Sequence, residues 1–461
     1  MVVEKSPGRK LFNPPTLLQD WDTDAEELSS KYWELFLDLL LVAASAAIAD
    51  QLAANPTYAG ILEFVTLYLV VVNSYMYYTP AFTTRFEDSS LVHYGMLFPY
   101  FLGISICTVN ASFQTARSFC IGALMQRIVL VCMVGSVAYH IQRARVFGLQ
   151  FIFATFISTA ILAIGVWYPS TAVTCLYIVA IVETLIVGSI IRFLRKEDMI
   201  PINIEHTKDR LGTMVLIMLG ETVVSVSIQY RLLQKGSILI MERYYWTTGY
   251  SFLLIFTFTL LYFHMQPSPS TNGFHRSRLR GLLLLQSHKL LGMTLLSIGV
   301  AVRMMIQASC DGTELTAFAR GLTGISVGLS IGLLFVIRLL HYGFLGPRPY
   351  PRRILIVLDS WWGVFVVATT LPFGLIALKI RDPVYSAGIH ASISTALCVI
   401  ESAFTHILED VIMDFQKNQE DEANRSSESP SDDVMANEVA SLVPAVEPEV
   451  LAFGQYGTTV E

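Results

Sequence analysis

Two carboxylates stand one helical turn apart inside an apolar stretch, KYWELFLDLLLVAASAAIADQL at residues 31–52: Glu34 and Asp38. Residues four apart share a helix face. A charge within a membrane helix costs about 2.5 kcal/mol or more at its centre, so such a pair is retained to bind, to titrate or to meet a base. A second constellation is EHTKDRLGTMVLIMLGETVVSV from Glu205, in which Arg210 and Glu221 lie eleven residues apart. That is about three turns, which puts them on one side with Glu221 near mid-membrane. A carboxylic acid there is a candidate for proton exchange near neutral pH; the alternative is a glutamate that hydrogen-bonds across helices as structural glue. Gly220 beside it permits close helix contact. His206, Asp209 and Arg210 open the same helix, and Arg85 in TTRFEDSS follows the second apolar run. Glu34, Asp38, Arg85, His206, Asp209 and Arg210 are therefore expected on one membrane face, as a gate or as a salt-bridged clamp. Glu34, beside Trp33, also fits a carboxylate at headgroup level.

The elements that would position these residues are membrane helices. Of 461 residues, 53% are hydrophobic and 15% charged, and mean hydropathy is +0.54, outside the range of ordinary soluble domains. Apolar runs long enough to span begin near Leu35, Ile61, Leu91, Phe119, Phe147, Thr171, Leu211, Tyr244, Leu282, Ala317, Ile354 and Ser386. The expected fold is an all-α polytopic bundle of about twelve transmembrane helices over residues 31–413. A polar N-terminal tail, residues 1–30, carries Pro7, Pro14 and Pro15 and no apolar core of a signal peptide. The stretch 414–461 is acidic and rich in serine (Ser426, Ser427, Ser429, Ser431), and is expected to be disordered. With the N-terminus cytosolic, about 21 Lys and Arg fall on cytosolic segments and about eight on the other face, so both termini are expected in the cytosol. Asn110, in NAS, then fits a glycosylation acceptor on the far face.

The net charge of −6 is concentrated in the C-terminal tail and implies no nucleic-acid partner. The six cysteines are scattered, without metal-ligand spacing, and no metal or other cofactor is expected. HYGMLFPYFLGIS from His93 echoes SHKLLGMTLLSIG from Ser287, QRIVLVCMVGS from Gln126 echoes ARGLTGISVGLS from Ala319, and Glu183 aligns with Glu401. Two six-helix repeats would explain this, as in several transporter folds; so would the shared composition of apolar helices. Glu63, Glu183, Asp359 and Glu401, taken singly, read as helix-end residues, and among the histidines only His288, beside Lys289, reads as bundle-facing.

ELFLDLLLVAA at Glu34, TRFEDSSLVH at Thr84, HTKDRLGTMVLIMLGE at His206 and LLYFHMQ at Leu260 resemble, in order, the bacterial low-temperature-requirement A (LtrA) family of multi-pass membrane proteins, which has fungal and protist members. The likeness runs from about Lys31 to about Leu340. The resemblance carries the family pattern to Glu34, Phe36, Asp38, Arg85, Phe86, His206, Arg210, Gly212, Gly220 and Glu221. The chain departs from the pattern at Asp209, where the family usually has Glu, and at Phe263-His264, where an acid commonly follows the aromatic. The resemblance implies the fold and fixes no biochemical activity.

Three functions fit. A proton-coupled transporter or ion pathway for a small-molecule or ion substrate would use Asp38 and Glu221 as protonatable sites and the Arg85/Arg210 cluster as a cytosolic gate. A membrane-embedded isomerase or terpenoid cyclase would use Asp38 or Glu221 as general acid on a prenyl substrate. A structural or signalling protein would use the polar cluster only to lock helices together.

Overall fold

A backbone in lipid has no water to satisfy it and must close its own hydrogen bonds, and nearly all of the described chain is helical. The computed structural model describes residues 14–17, 32–87, 90–193, 200–228, 238–264, 266, 273–342 and 352–428. Among these, the helices are α1 (Tyr32–Ala54), α2 (Tyr58–Tyr78), α3 (Leu91–Val109), α4 (Ala116–His140), α5 (Arg145–Trp167), α6 (Ala172–Phe193), α7 (Ile204–Ile228), α8 (Ile238–His264), the single turn α9 (Gly273–Arg276), α10 (Arg278–Asp311), α11 (Ala317–Tyr342), α12 (Arg352–Ala377) and α13 (Pro383–Glu428). Eleven of the described helices are long and apolar enough to cross a membrane. The expected span near Thr171 corresponds to α6, whose described apolar stretch, Pro169–Leu185, is shorter. The chain is a multi-pass integral membrane protein.

The burial pattern of α1 shows how the sequence positions its charges. Glu34, Leu37, Asp38, Leu41, Ala44, Ser45, Ile48, Ala49 and Leu52 are buried, a stripe of period 3.6 turned into the bundle. Leu35, Phe36 and Leu39 on the opposite side are exposed, as a lipid-facing surface requires. Where helices approach most closely a side chain is missing: a Cβ on Gly103 of α3 would lie 2.7 Å from the carbonyl oxygen of Gly122 on α4, so these two backbones meet face to face.

Helix packing distinguishes the two explanations of the internal echo. In the first six helices, α1 packs on α2 and α3, α3 on α4, α4 on α5, α5 on α6, and α6 on α2 and α4. In the second six, α7 packs on α8 and α10, α10 on α11, α11 on α12, α12 on α13, and α13 on α8 and α11. These contacts of the first set recur in the second, although α2 also packs on α4, and α10 on α8 and α13, without an equally close counterpart; the shared pattern supports two six-helix halves of like topology. They meet where α1 packs on α7 and α10 and where α2 and α6 reach α10.

Parts of both tails are structured. Thr16–Leu17 (β1) pairs antiparallel with Phe86–Glu87 (β2), so part of the polar N-terminal tail is fastened to the loop after α2. Helix α13 continues to Glu428, past the boundary at Asp414 where disorder was expected. Its sequence there includes Gln416, Lys417, Gln419, Glu420, Glu422 and Ala423, good helix formers, with no proline before Pro430. Residues 429–461 lie outside the described residues, as do 1–13 and 18–31.

Candidate functional site

Helices α1 and α7 lie side by side and in step. His206 Nε2 is 3.2 Å from Glu34 Oε1; one turn on, Arg210 is ion-paired with Asp38; two turns beyond, the Ser45 hydroxyl meets the Met218 sulfur at 3.5 Å. These partners are offset by 172, 172 and 173 residues, as two parallel helices of equal rise require. Tyr75, from α2, completes a triangle: its hydroxyl donates to Asp38 Oδ1 at 2.9 Å and accepts from Arg210 Nη2 at 3.0 Å. All seven side chains are buried.

The start of α7 is built to aim these groups. Asn203 Oδ1 accepts the His206 backbone N–H at 2.9 Å, an N-cap, and the Asn203 N–H donates to the Thr84 carbonyl at 3.1 Å, which ties α7 to the turn after α2. That turn is a π-helical segment, Thr79–Thr83, with Pro80 inside it. Arg85 serves the turn rather than the carboxylates. Its Nη1 donates to the carbonyls of Pro80 (2.9 Å) and Ala81 (3.0 Å), and its guanidinium lies 5.3 Å from the Phe147 ring centroid. Burial pushes the Arg85 guanidinium down to about 10, still cationic at neutral pH.

The structure therefore joins Glu34, Asp38, His206 and Arg210 in one site and adds Tyr75. Asp209 is exposed; successive helical residues diverge by about 100°, so its side chain leaves the face that carries Arg210. Glu221 is buried further along α7, 3.4 Å from the Ser225 hydroxyl, within electrostatic reach of Asp50 and Arg303. Asp50 and Arg303 form an ion pair between the far end of α1 and α10. Eleven residues of helix separate Arg210 from Glu221, about 17 Å, so the second constellation resolves into two sites toward opposite ends of the α1–α7 pair.

Several polar atoms at the first site are buried without a hydrogen-bond partner among the described residues: Asp38 Oδ2, Arg210 Nε and Nη1, and His206 Nδ1. Buried polar groups are seldom left so. A site with an idle carboxylate oxygen beside idle guanidinium and imidazole nitrogens has capacity to exchange protons or to hold a small polar ligand.

Other charges enter the bundle core that single-residue reasoning passed over. Arg127 on α4 forms a bidentate pair with Glu183 on α6, Nε to Oε1 at 2.6 Å and Nη2 to Oε2 at 2.7 Å, and Nη2 also donates to the Val70 carbonyl at 3.0 Å. In the second half, Arg338 on α11 pairs with Glu401 on α13 and stacks 3.8 Å from the Trp361 ring centroid; the Trp361 indole donates to the same carboxylate. Glu183 and Glu401 are thus core ion-pair partners and not helix-end residues. These pairs link equivalent helices of the two halves, although the alignment of Gln126 with Ala319 sets Arg127 opposite Arg320 rather than Arg338. Lys289 on α10 donates to Asn73 Oδ1 at 2.9 Å. A signal for two of these residues was present: Arg127 and Lys289 fall inside apolar runs and belong to neither set of loop bases.

The family model of the bacterial low temperature requirement A protein (LtrA) matches residues 30–400. The chain belongs to this family. The match extends past Leu340 to include α12 and the start of α13, so all twelve long helices belong to the LtrA domain. The LtrA motifs ELFLDLLLVAA and HTKDRLGTMVLIMLGE supply the two facing sides of the α1–α7 interface, and TRFEDSSLVH supplies the turn that α7 is capped against. No curated protein and no solved structure matches the chain.

Proposed function

We propose that this LtrA protein is a proton-coupled transporter in which Asp38 and Glu221 take up and release protons as the two six-helix halves move against each other. The observation that carries this reading is the ladder between α1 and α7, the first helices of the two halves: Glu34–His206 and Asp38–Arg210 at one end, and Glu221 with Asp50 and Arg303 at the other. Protonating Asp38 removes one charge of a pair that holds the halves together, and the idle Oδ2 gives the proton a place to arrive. Parallel repeats that rock about a site at their interface are an established transporter architecture. In this reading the Glu34 end faces the cytosol, both termini are cytosolic, and the Glu34–His206 and Asp38–Arg210 pairs form the cytosolic gate.

The test is proton flux into liposomes containing the purified protein and a trapped pH-sensitive dye, after an imposed pH jump. Wild-type protein should speed the dye response over empty liposomes, and Asp38→Asn and Glu221→Gln should each slow it at least tenfold. Wild-type rates in both variants would exclude these residues from a proton path. A second reading, a cyclase acting on a prenyl lipid, draws on the aromatic rings beside the Glu34 end, where Tyr78 lies 5.2 Å from Tyr100 and 6.0 Å from Phe82, faces suited to stabilising a cation. Incubation of microsomes with a prenylated epoxide, followed by product analysis, tests it separately.

A further inference from the structure

Lys289 is almost wholly enclosed, 3% exposed, in the first half of α10. Its hydrogen-bonded partner is a neutral amide, Asn73 Oδ1, and among the described residues no carboxylate lies within 4.0 Å of its ammonium. The surroundings are polar and ordered. Asn73 Nδ2 donates to the Thr184 hydroxyl at 3.3 Å, Gln286 Nε2 donates to the Thr184 carbonyl at 3.0 Å, and the Tyr68 hydroxyl donates to the Lys289 carbonyl at 3.0 Å. The Arg127–Glu183 pair is close by, with Glu183 within electrostatic reach of Lys289. Glu183 is spent on Arg127 through both oxygens, and Arg127 Nη1 is buried without a partner among the described residues. Two cations and one carboxylate leave this part of the core with a net charge of +1.

An isolated charge in an apolar interior is costly, and buried charges are paired in native proteins. A lysine that meets only an amide has two further N–H donors and a formal charge to satisfy. The place is also the junction of the halves, since Asn73 and Thr184 come from α2 and α6 and Lys289 and Gln286 from α10. Met218, eight residues and about 12 Å beyond Arg210 on α7, faces Gly292, one turn past Lys289. Lys289 therefore sits deeper in the bundle than Asp38.

We propose that Lys289, with Asn73, Gln286 and Arg127, forms a binding site for a small monovalent anion, a carboxylate or an oxyanion of similar size. The proposal rests on the transport reading insofar as it makes that anion the substrate; binding itself stands apart from flux. An anion seated between α2, α6 and α10 supplies the missing counter-charge and ties one half to the other. A proton entering with it at Asp38 makes the movement of the pair electrically neutral.

The experiment is thermal unfolding of the purified full-length protein in detergent, with sodium acetate or sodium nitrate titrated against sodium gluconate at constant ionic strength. Because a ligand bound only to the folded state stabilises it with saturation, wild type should show a saturable rise in melting temperature with acetate or nitrate. Lys289→Met should raise the apparent dissociation constant at least tenfold, and Lys289→Arg should keep binding within a few-fold. Asn73→Asp places a carboxylate on the ammonium, so it should fold with undiminished stability and lose the anion response. Absence of a saturable response in wild type, or an undiminished one in Asn73→Asp, would overturn the proposal. Asp38→Asn should retain anion binding while losing proton flux; anion binding by a protein with no proton flux at all would refute the transport reading and leave this site standing.

Discussion

Arg210→Met removes one partner of the buried Asp38–Arg210 ion pair between α1 and α7. Asp38 would be left with the Tyr75 hydroxyl alone, 2.9 Å away, in a setting where Asp38 is 7%, Tyr75 2% and Arg210 1% exposed. Stranding one charge of a buried pair costs about 3–5 kcal/mol, whereas replacing both by apolar residues of similar size is close to neutral. Asp38→Leu alone should cost about as much as Arg210→Met, and the double variant Asp38→Leu/Arg210→Met should recover most of the loss. The coupling energy should therefore reach about 3 kcal/mol, well beyond the ~0.5 kcal/mol deviation of independent sites. Equilibrium unfolding of the four proteins by titrating sodium dodecyl sulfate into mixed micelles supplies the cycle, and the same four proteins are assayed for proton flux. The expected outcome is a double variant that is stable yet inactive. Additive losses would refute the pairing as an energetic unit. A stable double variant with wild-type flux would reduce the cluster to a clamp and make the protein's polar core structural.

Two further outcomes follow from particular contacts. A Cβ on Gly292 would stand 2.5 Å from the Tyr68 hydroxyl oxygen, so Gly292→Ala should destabilise by about 1–3 kcal/mol; Tyr68→Phe in the same chain, which removes that oxygen, should restore most of it in the same detergent titration. Asp382 caps α13 by accepting the N–H groups of Val384 (2.9 Å) and Tyr385 (3.1 Å) and meets Arg243 at 2.7 Å. Partial burial pushes its carboxyl up, but the Tyr385 N–H, the Arg243 guanidinium and the Val384 N–H outweigh it and hold the group below its ordinary 3.8. A depressed folded value means that the stabilisation is complete above the ordinary value and is lost as pH falls through the folded one. Asp382→Ala should thus cost about 1 kcal/mol at pH 7, and its melting temperature should converge on that of wild type as the pH is taken well below 3.8.

Much of the site was legible because its two sides are local patterns. Glu34 and Asp38 on one helix and His206 and Arg210 on another are each spaced by four, and a spacing of four in an apolar run sets a face whatever the fold. Which faces meet is a different question. Arg85 shares the membrane face expected for it, but its guanidinium goes to the carbonyls of Pro80 and Ala81 because a π turn leaves those acceptors within reach, and π turns have no sequence period to read. Asp209 and Arg210 are adjacent in sequence and point apart.

The amino-acid sequence by itself determined that the chain spans a membrane about twelve times, that it carries carboxylates where lipid would exclude them, and that its motifs belong with LtrA. Hydropathy, period and motif order are properties of contiguous residues, and burial against lipid or protein enforces them locally. Only the tertiary structure decided that Asp38 finds Arg210 and Tyr75, that Glu183 and Glu401 are claimed by Arg127 and Arg338, and that Lys289 meets an amide instead of an acid. Those pairings join residues 37 to 216 positions apart. Their partners are selected by how twelve similar helices pack, which depends on close approaches such as Gly103 to Gly122 and on the repeat of one six-helix topology, neither of which a single apolar run contains.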